Sequence, residues 1–301
     1  MGQFALNRRE AILAGAGTAL TGGVLTGCAA ETPLDLELDL EDPAVRARVR
    51  AKVSGSAAEE TVYRFYRLHL YAYMNDGNLI PLFTMNNLNV TQCSPLEDNQ
   101  YAFKVFECGV YCKFDTDEVL ESWENPITGE VREPWTFLGG PLNVKMGPDG
   151  VETPPEATVH PTPLRMETYG GMVFVPIASH FSYPSPFDPE EWPKESPGRT
   201  HYWDSLFVHA ARLEDVANPE INNAPAFCQF QNLVSWGPWV GMGGHEGRSY
   251  GRAYGTKLAS IDELPAGARK SLELKAPKIF DVENWTEYHD YIEEYKDTYG
   301  S

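Results

Sequence analysis

Residues 61–73 read TVYRFYRLHLYAY, a run in which aromatic and apolar side chains alternate with arginine and histidine. A period of two is that of an extended strand with two unlike faces, and Tyr, Phe, Val and Leu suit a pleated, half-buried surface. The alternation sets His69 beside Arg67, Tyr71 and Tyr73, opposite Leu68, Leu70 and Ala72. The turn residues Asn75-Asp76-Gly77-Asn78 then return the chain into Leu79–Val90, an expected antiparallel partner.

The same texture recurs downstream. Tyr101–Phe114 reads as a long strand with Gly109 as a bulge, and Val119–Trp123 as a short one. Leu164–Ile177, His201–Arg212, Cys228–Met242 and Tyr250–Leu258 read as further strands. Residues 134–160 read as loops, and Pro184–Arg199, dense in proline and carboxylates, as a surface flap. Helices are expected at the ends: Pro43–Val53 behind an Asp42 cap, Ile261–Leu272, and Asn284–Tyr299, the last with Trp285, Tyr288, Tyr291, Ile292 and Tyr295 on one face. Strands in hairpin order with terminal helices predict a mainly β fold, an antiparallel barrel or strongly curved sheet. A barrel of eight to ten strands encloses room for one small ligand.

Upstream of this domain lies a segment of a different kind. Arg8-Arg9 precedes a Gly/Ala-rich apolar run from Ala11 to Thr26, and Leu25-Thr26-Gly27-Cys28 follows. About 16 apolar or small residues fall short of the roughly 20 that span a bilayer, so the segment reads as an export signal. The arginine pair resembles a twin-arginine signal, with Asn7 and Ala11 departing from its pattern, and Leu25–Cys28 resembles a lipobox that would lipidate Cys28. The resulting expectation is a cell-envelope protein, tethered as an outer-membrane lipoprotein. Residues 1–28 would be the signal, 29–42 an acidic tether and 43–301 one domain.

The chain has 301 residues and a formal net charge of −19, and no basic stripe interrupts the acidity. Such a surface repels phosphate backbones and argues against nucleic acid as a partner. Besides Cys28 there are Cys93, Cys108, Cys112 and Cys228, and an oxidising compartment leads one to expect one or two disulfides. On one strand Cys108 and Cys112 would stand about 13 Å apart and could not bridge to each other. Cys-x3-Cys without a neighbouring histidine is a weak zinc signal, so no metal is expected. No dinucleotide-binding glycine motif, P-loop, serine elbow or His-Glu-x-x-His motif occurs, and no cofactor is expected.

Several short stretches carry a family resemblance: Thr61-Val62-Tyr63, Leu82-Phe83, Glu118–Glu130 (EVLESWENPITGE), Ser235–Trp239 (SWGPW) and Ala276-Pro277. Together they resemble the DUF1838 family from about residue 40 onward, most specifically at Trp123, Asn125-Pro126 and Thr128-Gly129-Glu130. The resemblance implies a single domain and a calycin- or lipocalin-like barrel. It implies no catalytic residues, because the family is one of unknown function.

Candidate chemistry therefore comes from polar groups set among aromatic strands. On the strand at 201–212, His201, Trp203, Ser205, Phe207 and His209 share a face, where imidazole could serve as general acid or base at neutral pH. His69 and Tyr71, with Arg67, could hold an anionic or phenolic oxygen, or form the wet outer face of a sheet. Trp236 and Trp239 lie among glycines, followed by His245 and Arg248, and could line a ligand or close a bend. Trp123 could join them or define a tight turn.

The catalytic candidates are thus His201, His209, His69 and Tyr71. The substrate-binding candidates are Trp203, Trp236, Trp239, His245, Arg248 and Trp123. The expected activity is cofactor-independent acid/base chemistry, of lyase, isomerase or hydratase type, on a hydrophobic or aromatic small molecule. The alternatives are a carrier of such a molecule and a structural envelope lipoprotein.

Overall fold

A computed structural model describes residues 37–148, 150–151, 158–161 and 164–300. Cys28, the arginine pair and most of the acidic tether lie outside these residues. The long hairpin comes first, β1 (Glu60–Tyr73) against β2 (Leu79–Pro95), with Gly77 at a φ of 88° in the turn. β3 (Tyr101–Cys112), the two-residue pair β4 (Trp123–Glu124) and β5 (Val131–Arg132), and β6 (Phe137–Gly147) follow. After the short β7 (Gly150–Val151), β8 (Thr158–Pro161) and β9 (Glu167–Tyr169) come four long strands. These are β10 (Met172–Pro184), β11 (Thr200–Arg212), β12 (Ala226–Val234) and β13 (Arg248–Leu258).

The main sheet is antiparallel, in the order β7-β6-β3-β2-β1-β13-β12-β11-β10-β8, with β9 also on β10. Its first hairpin sits at the centre, and β13 joins β1 to close the order around it. The sheet curls into a half-barrel and leaves two edges, so the expected barrel-like curvature is present without closure. A register shift in β2 opposite Leu70/Tyr71 and another in β6 opposite Val105/Glu107 sharpen the bend, as bulges do.

Both ends of the concave face are filled. Helix α1 (Pro43–Ser54) starts at Asp42, whose side chain accepts from the Ala44 N–H, with proline in the first turn. Its Val49 and Val53 pack on Val173, Val175, Ala211 and Ala226, while Ala47 and Ala51 pack on Val62, Cys93 and Phe103. One short helix thus braces strands from the two halves of the sheet. At the other end Phe83, Trp123, Trp236, Trp239, Phe187 and Tyr295 form an aromatic plug, in which the Phe83 and Trp239 centroids are 4.9 Å apart. On the convex face, α3 (Ala266–Lys275) lays Ala268 and Leu272 over Leu88, Phe106, Cys108 and Val110. α2 is the short turn Leu213–Ala217, and α4 (Tyr291–Tyr299) ends the fold behind an Asp290 cap.

The structure corrects several expectations. Residues 137–147 form β6 rather than loop; Pro141 is tolerated because it lies in the register irregularity opposite Val105/Glu107, away from the short β7 pairing at Met146–Gly147. Gly109 is in regular register with Asn87, and the Met85 side chain packs into the space a Cβ there would take. β12 ends at Val234, and Trp236–Trp239 leads into a 3-10 turn. The last helix covers only 291–299, while Trp285 is buried separately beneath Phe106. Val119 makes a single bridge to Cys112 instead of opening a strand. Cys93, Cys108, Cys112 and Cys228 are all buried free thiols, so the expected disulfides are absent among the described residues. No helix among the described residues is long and apolar enough to cross a membrane.

Candidate functional site on the concave face

Pairing fixes which side chains share the concave face, because residues directly opposite in adjacent strands point the same way. One cross-strand row runs Glu107, Asn89, Arg64, Lys257. The next runs Gly109, Asn87, Tyr66, Gly255, Cys228, His209. A third adds Leu68, Phe230 and Phe207, and a fourth Asn232, Ser205 and Ser179. Between the α1 brace and the aromatic plug, the trough therefore carries a band of polar groups walled by rings. The Phe207 and Phe230 centroids are 4.1 Å apart, and Tyr66 meets Phe207 edge-on at 6.3 Å.

The two cations in the band are anchored differently. Lys257 donates to the Lys52, Gly55 and Ala224 carbonyls at 2.9, 2.7 and 2.9 Å. Three such bonds use every proton of an ammonium group. Burial, with Arg64 next, pulls its pKa down to about 7. Arg64 donates through Nη2 to Asn89 Oδ1 at 2.5 Å and Thr91 Oγ1 at 3.0 Å, and its Nε has no partner among the described residues. Lys257 is thereby a structural pin, whereas Arg64 keeps a donor in reserve.

The acid/base groups are Glu107, Tyr66 and His209. Glu107 accepts from the Asn87 amide at 2.9 Å, and burial raises its pKa against the opposing effects of Asn87 and Arg64. Burial also raises the Tyr66 hydroxyl and the neighbouring Cys228 thiol. His209 is 2% exposed, and burial, then the Arg64 and Lys257 charges, lowers its pKa to about 3. Neither ring nitrogen has a hydrogen-bond partner among the described residues. At neutral pH this imidazole offers one donor and one acceptor. Buried polar groups are rarely left so, and each exception calls for a physical account. Glu107 also lines a cleft of about 260 Å³ between Leu138–Gly140 and the segment Tyr288–Tyr291.

The expected site residues are distributed unevenly about this band. His201, Trp203 and His209 share the concave face of β11, as their alternation implies. Trp203 donates to Ser205 at 3.0 Å and stacks on Phe181. His201 stacks on Tyr183 near the far rim, where burial and Arg248 lower its pKa to about 4. His69 and Tyr71 lie on the convex face, where His69 contacts Asp115 at 3.0 Å and Phe114 packs edge-on against both rings. They do not converge with His209; the backbone of β1 separates them.

Trp123, Trp236 and Trp239 belong to the aromatic plug, and Trp236 donates to the His245 carbonyl at 3.0 Å. His245 is exposed, its Nδ1 2.6 Å from the Met242 carbonyl, and the Arg248 guanidinium lies over the Tyr202 ring. None of these five sits in the polar band.

Arg64, Tyr66, Asn87, Glu107 and Lys257 are the residues that alternation on single strands did not single out. The available signal was glycine. Gly109, Gly251 and Gly255 occupy the concave face, and a Cβ on Gly251 would meet Asn232 Oδ1 at 2.2 Å. Among the described residues no three His, Cys, Asp or Glu side chains come together as metal ligands. A family model described as a protein of unknown function (DUF1838) matches residues 59–292. No curated protein matches the chain.

Proposed function

The chain belongs to the DUF1838 family, and from that premise we propose that its half-barrel is an enzyme of cofactor-independent proton transfer. Its substrate would be a hydrophobic or aromatic small molecule bearing an anionic or phenolic oxygen. One observation carries this reading: Glu107 is a carboxylate of raised pKa, in a row with a guanidinium that does not neutralise it. Pairs of groups whose surroundings push their protonation apart are typical of acid/base sites.

The roles follow from the chemistry. The Arg64 guanidinium holds the substrate oxygen. The Glu107 carboxylate removes a proton from the adjacent carbon; the C–H electron pair moves toward that oxygen, and the Arg64 charge stabilises it. Glu107 then returns the proton at the same or another carbon, or the electron pair expels a leaving group. Tyr66 and His209, both neutral, complete the hydrogen bonding, and Phe207, Phe230 and Trp203 wall the apolar part. An isomerase or lyase fits this sequence of events. A carrier is the second reading, favoured by the unpartnered His209 nitrogens, which could orient a ligand without reacting. Export through the arginine-pair signal, anchoring at Cys28 and work in the cell envelope remain part of the proposal on the sequence features alone.

The test is hydrogen exchange at carbon. The protein is incubated in D2O with a panel of aromatic ketones, phenols and aryl carboxylates, and proton NMR reads both binding and deuterium uptake. Protein-dependent deuteration that Glu107→Gln abolishes while binding persists is the expected result. Binding without exchange for every bound compound would replace the enzyme with the carrier; no binding at all would sink both.

A further inference from the structure

A larger cleft, of about 840 Å³, lies outside the polar band. Its walls include four aromatic side chains: Trp192, Trp239, Tyr295 and Tyr299. Trp192, Tyr295 and Tyr299 form a connected set, with Tyr295 and Tyr299 centroids 4.7 Å apart and Trp192 and Tyr295 6.3 Å apart. The charged groups of the same cleft are Glu133, Glu191, Glu195 and Arg132. Arg132 is already matched, 3.2 Å from Glu195 and 3.5 Å from Glu130. Glu133 and Glu191 are exposed and make no ion pair among the described residues. The cleft thus combines ring surface with uncompensated negative charge, in a chain of net charge −19.

Rings present a negative face to a cation, and carboxylates add attraction that a neutral ligand of equal shape does not receive. A strongly hydrated metal ion gains little from aromatic walls, whereas a methylated ammonium sheds its weak hydration readily and buries methyl groups against them. We propose that this cleft is a binding site for a small organic cation of the quaternary or alkylated ammonium class. The rings of Trp192 and Tyr299 contact its methyl groups, with the buried Tyr295 packed behind them, and Glu133 and Glu191 supply the charge. The site is independent of the concave band, although α4 serves both: Tyr291 faces the cleft beside Glu107, and Tyr295 and Tyr299 face this one.

The probe is tetramethylammonium chloride, titrated into the protein and followed by tryptophan fluorescence and calorimetry. tert-Butanol, neutral and of similar shape, is the control. The cation should bind about tenfold or more tightly than the alcohol, a difference of the size that one cation–π contact in a partly desolvated site provides. Glu191→Gln, on the surface, should weaken the cation several-fold and leave the alcohol unchanged; Trp192→Ala should weaken both. Equal affinity for cation and alcohol, or cation binding indifferent to Glu191→Gln and Trp192→Ala in folded protein, would overturn the proposal. So would no binding at millimolar concentration. Deuterium exchange on the concave face is a separate readout, so either proposal can fail alone.

Discussion

Glu107 and Arg64 stand in one cross-strand row with Asn89 between them, and they share no hydrogen bond among the described residues. Each is instead held by neutral neighbours, Glu107 by Asn87, and Arg64 by Asn89 and Thr91. This keeps an acid and a cation apart that would otherwise cancel. Replacing Glu107 by Gln should lower proton exchange by about 10²- to 10⁴-fold, the usual contribution of a positioned acid/base group. Because burial raises the Glu107 pKa, its contribution to stability is full below the ordinary carboxylate range and is lost as pH rises through the folded value. Urea unfolding of Glu107→Gln should therefore gain on the wild type as pH rises above the ordinary glutamate value of about 4.3.

The His209 imidazole has the opposite sign. Its folded pKa of about 3 lies below the ordinary value of 6.5, so the unfolded chain takes up the proton first. Its contribution is whole above about 6.5 and drains away as pH falls toward 3, at up to roughly 1.4 kcal/mol per pH unit. In His209→Leu the stability-versus-pH slope between pH 6 and pH 4 (roughly the interval concerned) should be shallower by up to one proton. Identical slopes in the two proteins would show that His209 is not held neutral.

Lys257 fastens the end of α1 to the loop at Ala224 through three carbonyls. Lys257→Met removes the donors and leaves acceptors buried, a loss of about 3 kcal/mol. For a domain of this size that lowers Tm by about 2–4 °C per kcal/mol, which calorimetry would register.

All four described cysteines are buried, and burial pushes the thiols of Cys93 and Cys112 up to about 11. Thiolate is the reactive form, so a Cys28→Ser chain should be silent to a thiol reagent when native and release four thiols when denatured. A lower count after denaturation would reveal bridges.

Trp123 is 7% exposed and meets Phe83 and Trp239 at 5.4 and 5.5 Å. Trp123→Ala should cost about 3–5 kcal/mol as a core truncation. Ligand affinity at the concave band, measured on the folded fraction, should stay as it was.

Period-two alternation made β1 and β11 legible because those strands carry no glycine or internal proline, and β13 was legible despite Gly251 and Gly255. β6 escaped because Gly139-Gly140-Pro141 interrupts it, and it is the bulge against β3 that makes that sequence compatible with a ladder. For the site, alternation grouped His201, Trp203 and His209 correctly, since one strand suffices to say which side chains are together. It could not say which face of β1 was concave. His69 and Tyr71 drew notice for their polarity, yet Arg64 and Tyr66 on the other face belong to the trough. That choice depends on how the whole sheet curls, which local composition does not encode. Only the inward glycines at 109, 251 and 255 marked the crowded side, and their meaning required knowing their cross-strand partners.

The filled ends of the half-barrel decide how matter moves. With α1 in one mouth and the tryptophan plug in the other, the trough is not a cup loaded from the top. The cleft between β6 and Tyr288–Tyr291 reaches Glu107 from the flank. On the proposed function, a guest would enter sideways, polar end toward Glu107, and lie along the strands instead of down a barrel axis.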